Sequence, residues 1–178
     1  MNNEQIIKGC MRQDESCQKQ LFVQYSKRMM TVCIRYSRTR SDAEDILQDG
    51  FVRLFRNIHQ YKFEGSFEGW MRKIFINTAL KKYRNKRFEK ERTGIEDIVE
   101  APCDPGVVAS LSADEILEWI GELPEGYRIV FNMYAIEGYS HKEIAEMLGC
   151  TEATSRSQLL KARKHLQKRI QKAERIAS

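Results

Sequence analysis

The sequence predicts an all-α fold of two small helical domains joined by an acidic flexible linker, the second domain carrying a helix-turn-helix, and three observations lead there. Apolar residues recur at the 3.6-residue helical period almost throughout, with scarcely any of the strict alternation that marks strands. Charge is divided into blocks: residues 1–92 hold 20 Lys/Arg against 11 Asp/Glu, residues 93–126 hold 0 against 9, and residues 127–178 hold 10 against 5. The stretch "YSHKEIAEMLGCTEATSRSQLLKARKHL" interrupts an amphipathic helix at "GCT" and resumes it with a denser load of basic side chains.

Each element can be justified in turn. From Leu21 the set Leu21, Phe22, Tyr25, Met29, Val32, Cys33 and Tyr36 forms one helical face. Ser41 and Glu44 have the spacing of a capping box, opening a helix whose apolar set is Leu47, Phe51, Leu54, Phe55 and Ile58. Asp42, Glu44, Asp45 and Asp49 crowd its beginning, where carboxylates suit the positive end of the helix dipole. The loop "QYKFEGSFEG" leads to a third helix with Phe67, Trp70, Met71, Ile74, Phe75 and Thr78 on one face, and this helix continues past its apolar stripe into "KKYRNKR".

All three prolines, Pro102, Pro105 and Pro124, lie in the 93–126 stretch, which has no basic residue. It reads as a linker, residues 93–112, entering an acidic helix capped by Ser112 with Glu115. The domains expected are therefore 1–92 and 113–178. In the second, Tyr127, Val130, Phe131 and Tyr134 mark a helix stopped by Gly138, and Ser140 with Glu143 caps the next. Gly149 suits the left-handed residue that ends that helix, and Thr151 can cap the one after it.

"LGCT" is thus a tight turn between two helices, the second longer and more basic, which is the pattern of a helix-turn-helix. On the second helix Leu159, Ala162 and Leu166 share a buried face with Ser155. Ser157, Leu160, Lys161 and Lys164 point away, flanked by Arg156 and Arg163, so cationic and hydrogen-bonding groups occupy the surface that a DNA groove would meet.

Composition narrows the function classes. No window of 18 apolar residues offers a membrane span, and the polar N-terminus lacks the order of a secretory signal, so a cytoplasmic protein without direct membrane insertion is expected. Cys10, Cys17, Cys33, Cys103 and Cys150 are odd in number and never spaced C-x-x-C, which favours reduced thiols over a disulfide framework or zinc site. His59, His141 and His165 have no ligand spacing and receive no role. Basic lobes on an acidic tether fit a polyanion such as DNA, because cations that neutralise phosphates release counterions.

Taken together, "DAEDILQDGFVRLFRNI", "FEGSFEGWMRKIFINTALKKYRNKR" and "LPEGYRIVFNMYAIEGYSHKEIAEMLGCTEATSRSQLLKARKHL" resemble the extracytoplasmic-function (ECF) sigma factors of bacterial RNA polymerase, sigma-70 family, over nearly the whole chain. One departure is Ala153-Thr154-Ser155, where the family commonly has Gly-Thr-Val. The resemblance implies a non-enzymatic transcription factor, without cofactor, metal or small-molecule substrate. Its partners would be core RNA polymerase, promoter DNA as duplex and as single-stranded non-template strand, and an anti-sigma factor.

Residue by residue, the resemblance carries over three sets. Asp42, Glu44, Asp45 and Asp49, beside exposed apolar groups such as Phe51, would dock on the polymerase clamp helices. Tyr61, Phe63, Phe67 and Asn77 would hold bases of the minus-10 element taken out of their stack, with Lys73, Lys81, Lys82 and Arg84 along the backbone. Arg156, Ser157, Leu160, Lys161, Arg163 and Lys164 would read the minus-35 element. Two alternatives are a one-component helix-turn-helix regulator, with the first domain as sensor or dimerisation module, and a nucleic-acid enzyme using the acidic cluster to hold a metal.

Overall fold

Every regular element among the residues described by this computed structural model, 2–93 and 113–177, is helical. The chain divides into two compact units, Met1–Lys86 and Arg87–Ser178. The expected Ser112 cap, Cys103 and residues 94–112 of the expected linker lie outside the described residues.

The first unit starts with a helix that periodicity had not picked out, α1, Asn3–Met11. Nine residues give too short a stripe to stand out, yet Ile6, Ile7 and Cys10 are buried. Asn2 caps it, with Gln5 completing the reciprocal box. Asp14 caps α2, Glu15–Tyr36, by accepting the Cys17 N–H at 3.0 Å. The buried face of α2 is Cys17, Leu21, Tyr25, Met29, Val32, Cys33 and Tyr36, and Phe22 stays largely outside at 43% exposure.

Helix α3, Arg40–Asn57, is capped by Thr39 rather than by the expected Ser41 and Glu44 box. Thr39 is extended (φ −123°, ψ 158°) and accepts the Asp42 N–H at 3.1 Å, so the helix starts two residues earlier. Glu44 is thereby placed one turn after Arg40, and the two form an ion pair at 3.0 Å. A short 3₁₀ turn, Ile58–Gln60, leads through the loop to α4, Phe67–Thr93.

Gly50 lets α3 and α4 approach closely. A Cβ there would lie 2.4 Å from the fully buried Phe75 ring, which has no room to retreat. Thr78, counted with the apolar face, is buried because its hydroxyl donates to the Ile74 carbonyl of its own helix at 2.8 Å.

The second unit contains α5 (Ala113–Gly121), α6 (Glu125–Phe131), a π-helical turn (Asn132–Ile136), α7 (His141–Leu148) and α8 (Glu152–Ala177). Its core includes Ile120, Leu123, Ile129, Val130, Met133, Ile144, Leu148, Leu159 and Ala162. The π turn changes the predicted register. It inserts an extra residue in the turn, so Asn132 and Met133 face inward and Tyr134, expected on the inner face, is turned out to 36% exposure.

The turn between α7 and α8 has the expected chemistry. Ser140 and Glu143 form the reciprocal box, Gly149 is left-handed (φ 66°, ψ 39°), and Thr151 accepts the Thr154 N–H at 3.1 Å. Cys10, Cys17 and Cys33 are buried free thiols, and Cys150 is half-buried. Burial pushes the Cys33 thiol up to about 12.

Candidate nucleic-acid and polymerase interfaces

The acidic cluster lies along the exposed first half of α3. Asp45 and Asp49 are exposed and Asp42 is partly buried. Lys82, reaching across from α4, binds both Asp42 at 2.9 Å and Asp45 at 3.1 Å. Partial burial by itself would lower the Lys82 pKa, but the hydrogen bonds and charges of the two aspartates outweigh it and raise the value. Lys82, assigned from sequence to the minus-10 set, is therefore tied to the acidic set instead. A groove of about 480 Å³ runs here, with Asp45, Asp49 and Arg53 from α3 facing Lys81, Lys82 and Asn85 from α4.

Phe51 is not an exposed apolar group. It is 4% exposed, with its ring 4.7 Å from Phe22 and 5.1 Å from Phe75 between centroids. The outward stripe through Asp45, Gln48 and Asp49 continues to Val52, which is 48% exposed, and Phe22 of α2 adds a second outward apolar group. The i, i+3, i+4, i+7 spacing from Asp45 leads to position 52 rather than 51, and Phe22, read from sequence as part of the inner face of its helix, is turned outward.

The loop before α4 separates its aromatic residues into two roles. Tyr61 and Phe67 are buried, 5.0 Å apart by ring centroid, with Trp70 5.5 Å from Tyr61. The Tyr61 hydroxyl donates to the Gly65 carbonyl at 2.9 Å, closing the loop on itself. Neither ring presents a free face to an unstacked base, a correction that follows from the loop folding back over α4.

Phe63 has the opposite placement. It is 41% exposed, sits at φ 58°, a left-handed conformation rare for a bulky side chain, and packs on Tyr61 with the rings tilted by 53°, the Lys8 ammonium lying 5.6 Å from its ring centroid. Lys73, Asn77 and Lys81 are exposed on successive turns of α4, and Arg84 is partly exposed.

On α8 the expected division holds at each named residue except Leu166, which is only partly buried. Arg156, Ser157, Leu160, Lys161, Arg163 and Lys164 are exposed, while Ser155, Leu159 and Ala162 are buried behind them. Two cations lean to opposite flanks. The Lys161 ammonium lies 5.9 Å from the Tyr127 ring centroid of α6, and the Arg163 guanidinium 5.8 Å from that of Tyr134 in the π turn. Arg156 is paired with Glu152 at 2.7 Å.

Ser155, polar and fully buried, bonds to Nδ1 of His141 at 2.9 Å, linking α7 to α8. The same imidazole stacks on Tyr134, 4.6 Å away. Burial first, and then the charge of Arg156, lower the His141 pKa. Sequence reasoning left His141 without a role; its signal lay in the unexplained polar Ser155 fourteen residues on, which needs a partner when buried.

Comparison with known proteins agrees with this organisation. The family described as "Sigma-70 region 2" matches residues 21–89, and "Sigma-70, region 4" matches residues 113–166, together well over half of the chain. The ECF RNA polymerase sigma-E factor of Haemophilus influenzae is 25% identical over 185 residues, covering 96% of each chain. The RNA polymerase sigma-H factor of Pseudomonas aeruginosa is 24% identical over 182 residues, covering 95% of this chain and 94% of its own. Among solved structures, the sigma factor RpoE in complex with the anti-sigma factor NepR from Bartonella quintana matches with a TM-score of 0.54 at 20% identity. That match covers 86% of this chain and 96% of RpoE, a likeness of fold.

Proposed function

Since the chain belongs to the sigma-70 family and is an ECF RNA polymerase sigma factor, we propose how its two units divide the work of promoter recognition. The first domain, residues 1–92, docks on core polymerase through the exposed Asp45 and Asp49 with Val52 and Phe22 beside them. Carboxylates on an apolar margin suit a basic partner, since charge steers the encounter and the small patch is buried on contact. Asp42 and Glu44 support that surface through their bonds to Lys82 and Arg40.

Beside it, Phe63 and Asn77 hold unstacked bases of the minus-10 element, and Lys73, Lys81 and Arg84 follow the backbone of the displaced strand. Tyr61 and Phe67 shape that loop from beneath. The second domain, residues 113–178, places α8 in the major groove of the minus-35 element, and residues 93–112 tether the two.

The observation that carries this reading is α8, where all six candidate residues are exposed while Leu159 and Ala162 between them are buried. As a transcription-initiation factor the protein directs polymerase and catalyses no reaction of its own. The one-component regulator is disfavoured, because the first unit matches sigma-70 region 2 rather than a sensor module. Run-off transcription with core polymerase on a promoter library tests the proposal. Enriched sequences should share two elements at fixed separation, and transcription independent of this chain would defeat it.

A proteinaceous inhibitor is the further partner. Basic and apolar surfaces of this extent need cover when polymerase is absent, and units of 60 to 90 residues gain stability from a partner that binds only the folded state. The RpoE structure, solved with an anti-sigma factor, supports extending the idea to this chain. Pull-down from the native host should recover such a protein, and recovery of polymerase alone would refute it. No helix among the described residues is long and apolar enough to cross a membrane.

A further inference from the structure

We infer that Leu160 reads the 5-methyl group of a thymine in the upstream promoter element, an assignment that rests on α8 being the groove helix. Leu160 is 55% exposed on the side of α8 away from buried Leu159 and Ala162. Residues 157, 160 and 164 follow one another at helical spacing along the crest, so Leu160 stands between the exposed Ser157 and Lys164.

Two of the cations around it are directed elsewhere. Lys161 leans to the Tyr127 flank and Arg163 to the Tyr134 flank, where both suit the phosphates at the groove edges. What remains at the crest is a branched apolar group between a hydroxyl and a lysine. A single exposed leucine on an ordinary surface calls for no explanation. Encircled by Arg156, Lys161, Arg163 and Lys164, this one faces a polyanion, and the apolar feature that a major groove offers is the thymine methyl.

The test uses holoenzyme assembled from core polymerase and the full chain. A promoter is first enriched from a randomised library, and synthetic duplexes are then made with deoxyuridine replacing thymidine, one position at a time, in its upstream element. This change removes the methyl group and leaves the base's hydrogen-bonding edge intact. One position should show wild-type binding reduced about fourfold, the factor expected for burial of one methyl-sized group. Leu160→Ala should bind the two duplexes equally, and Lys161→Ala should weaken both while keeping their ratio.

The inference is overturned if no thymine methyl matters to the wild type, or if the ratio survives Leu160→Ala, which would place the contact on another residue. If Lys161→Ala lowers affinity while uracil has no effect, the Leu160 assignment alone falls. If neither variant alters use of the upstream element, the groove reading of α8 falls with it. Loss of binding to a protein inhibitor by Leu160→Ala, with DNA recognition unchanged, would reassign the residue to that partner and also overturn the inference.

Discussion

In the second unit the candidate contacts line the outer face of one regular helix, whereas in the first they are distributed among a loop, the core beneath it and two helices. On α8 the 3.6-residue period alone separates Leu159 and Ala162 from Ser157 and Lys161. In the first unit the loop reverses over α4, so Tyr61 and Phe67 are buried while Phe63, between them in sequence, is exposed. A recognition surface on a helix can be altered by changing side chains one at a time. One resting on a loop shares residues with the core, so recognition and stability are coupled there.

The largest effects should appear where the first unit mixes the two roles. Phe51→Ala and Phe67→Ala remove buried rings and should each cost about 3–5 kcal/mol of stability, read by denaturant unfolding of the first unit. Val52→Ala should leave stability within about 0.5 kcal/mol and lower affinity for core polymerase. If Phe51→Ala instead weakens polymerase binding in a fully stable protein, the assignment of Val52 as the apolar contact is wrong.

A middle range of effects sharpens the same contrast. Phe63→Ala should weaken binding of single-stranded minus-10 sequence by about 1–3 kcal/mol, the range for one base–aromatic stack, and should leave the fold intact. Asn77→Ala should act on the same step, lowering single-strand selectivity without changing polymerase affinity. In the second unit, Lys161→Ala should weaken promoter binding by about 1–3 kcal/mol if it reads a base, and evenly across sequences with a shallower salt dependence if it contacts phosphate. Equal loss of stability in Phe63→Ala and Phe67→Ala would erase the distinction between surface and core in the loop.

The smallest effect concerns pH. The folded His141 pKa is below its ordinary value, so the folded state binds its proton less readily than the unfolded chain does. The stability this confers is complete above about 6.5, the unfolded value, and is lost as pH falls through the folded pKa. Thermal unfolding of the second unit should therefore show a modest decline on acidification below that point, one that His141→Asn removes.

How much could be read in advance varied with regularity. The Ser140 box, Gly149 and Thr151 were legible because capping and turn chemistry depend on residues within a few positions of one another. Thr39 was passed over because Ser41 with Glu44 shows the same spacing, and only the extended backbone at 39 decides between them. The Tyr134 register was missed since a π turn leaves no mark on apolar periodicity. The Lys82 link to Asp42 and Asp45 was invisible because it joins residues 37 and more positions apart on different helices.

The Lys82 link bears on how genetic screens of this protein would be interpreted. An allele that removes the lysine leaves two neighbouring carboxylates without their shared counter-charge, so its first phenotype should be a defect in assembling with polymerase. Mapped onto a basic tract such as "KKYRNKR", it would invite classification as a DNA-contact mutant. Second-site suppressors would resolve the ambiguity. Those arising at Asp42 or Asp45 would restore the charge balance within the protein, whereas changes in the promoter would compensate only for a lost contact to nucleic acid.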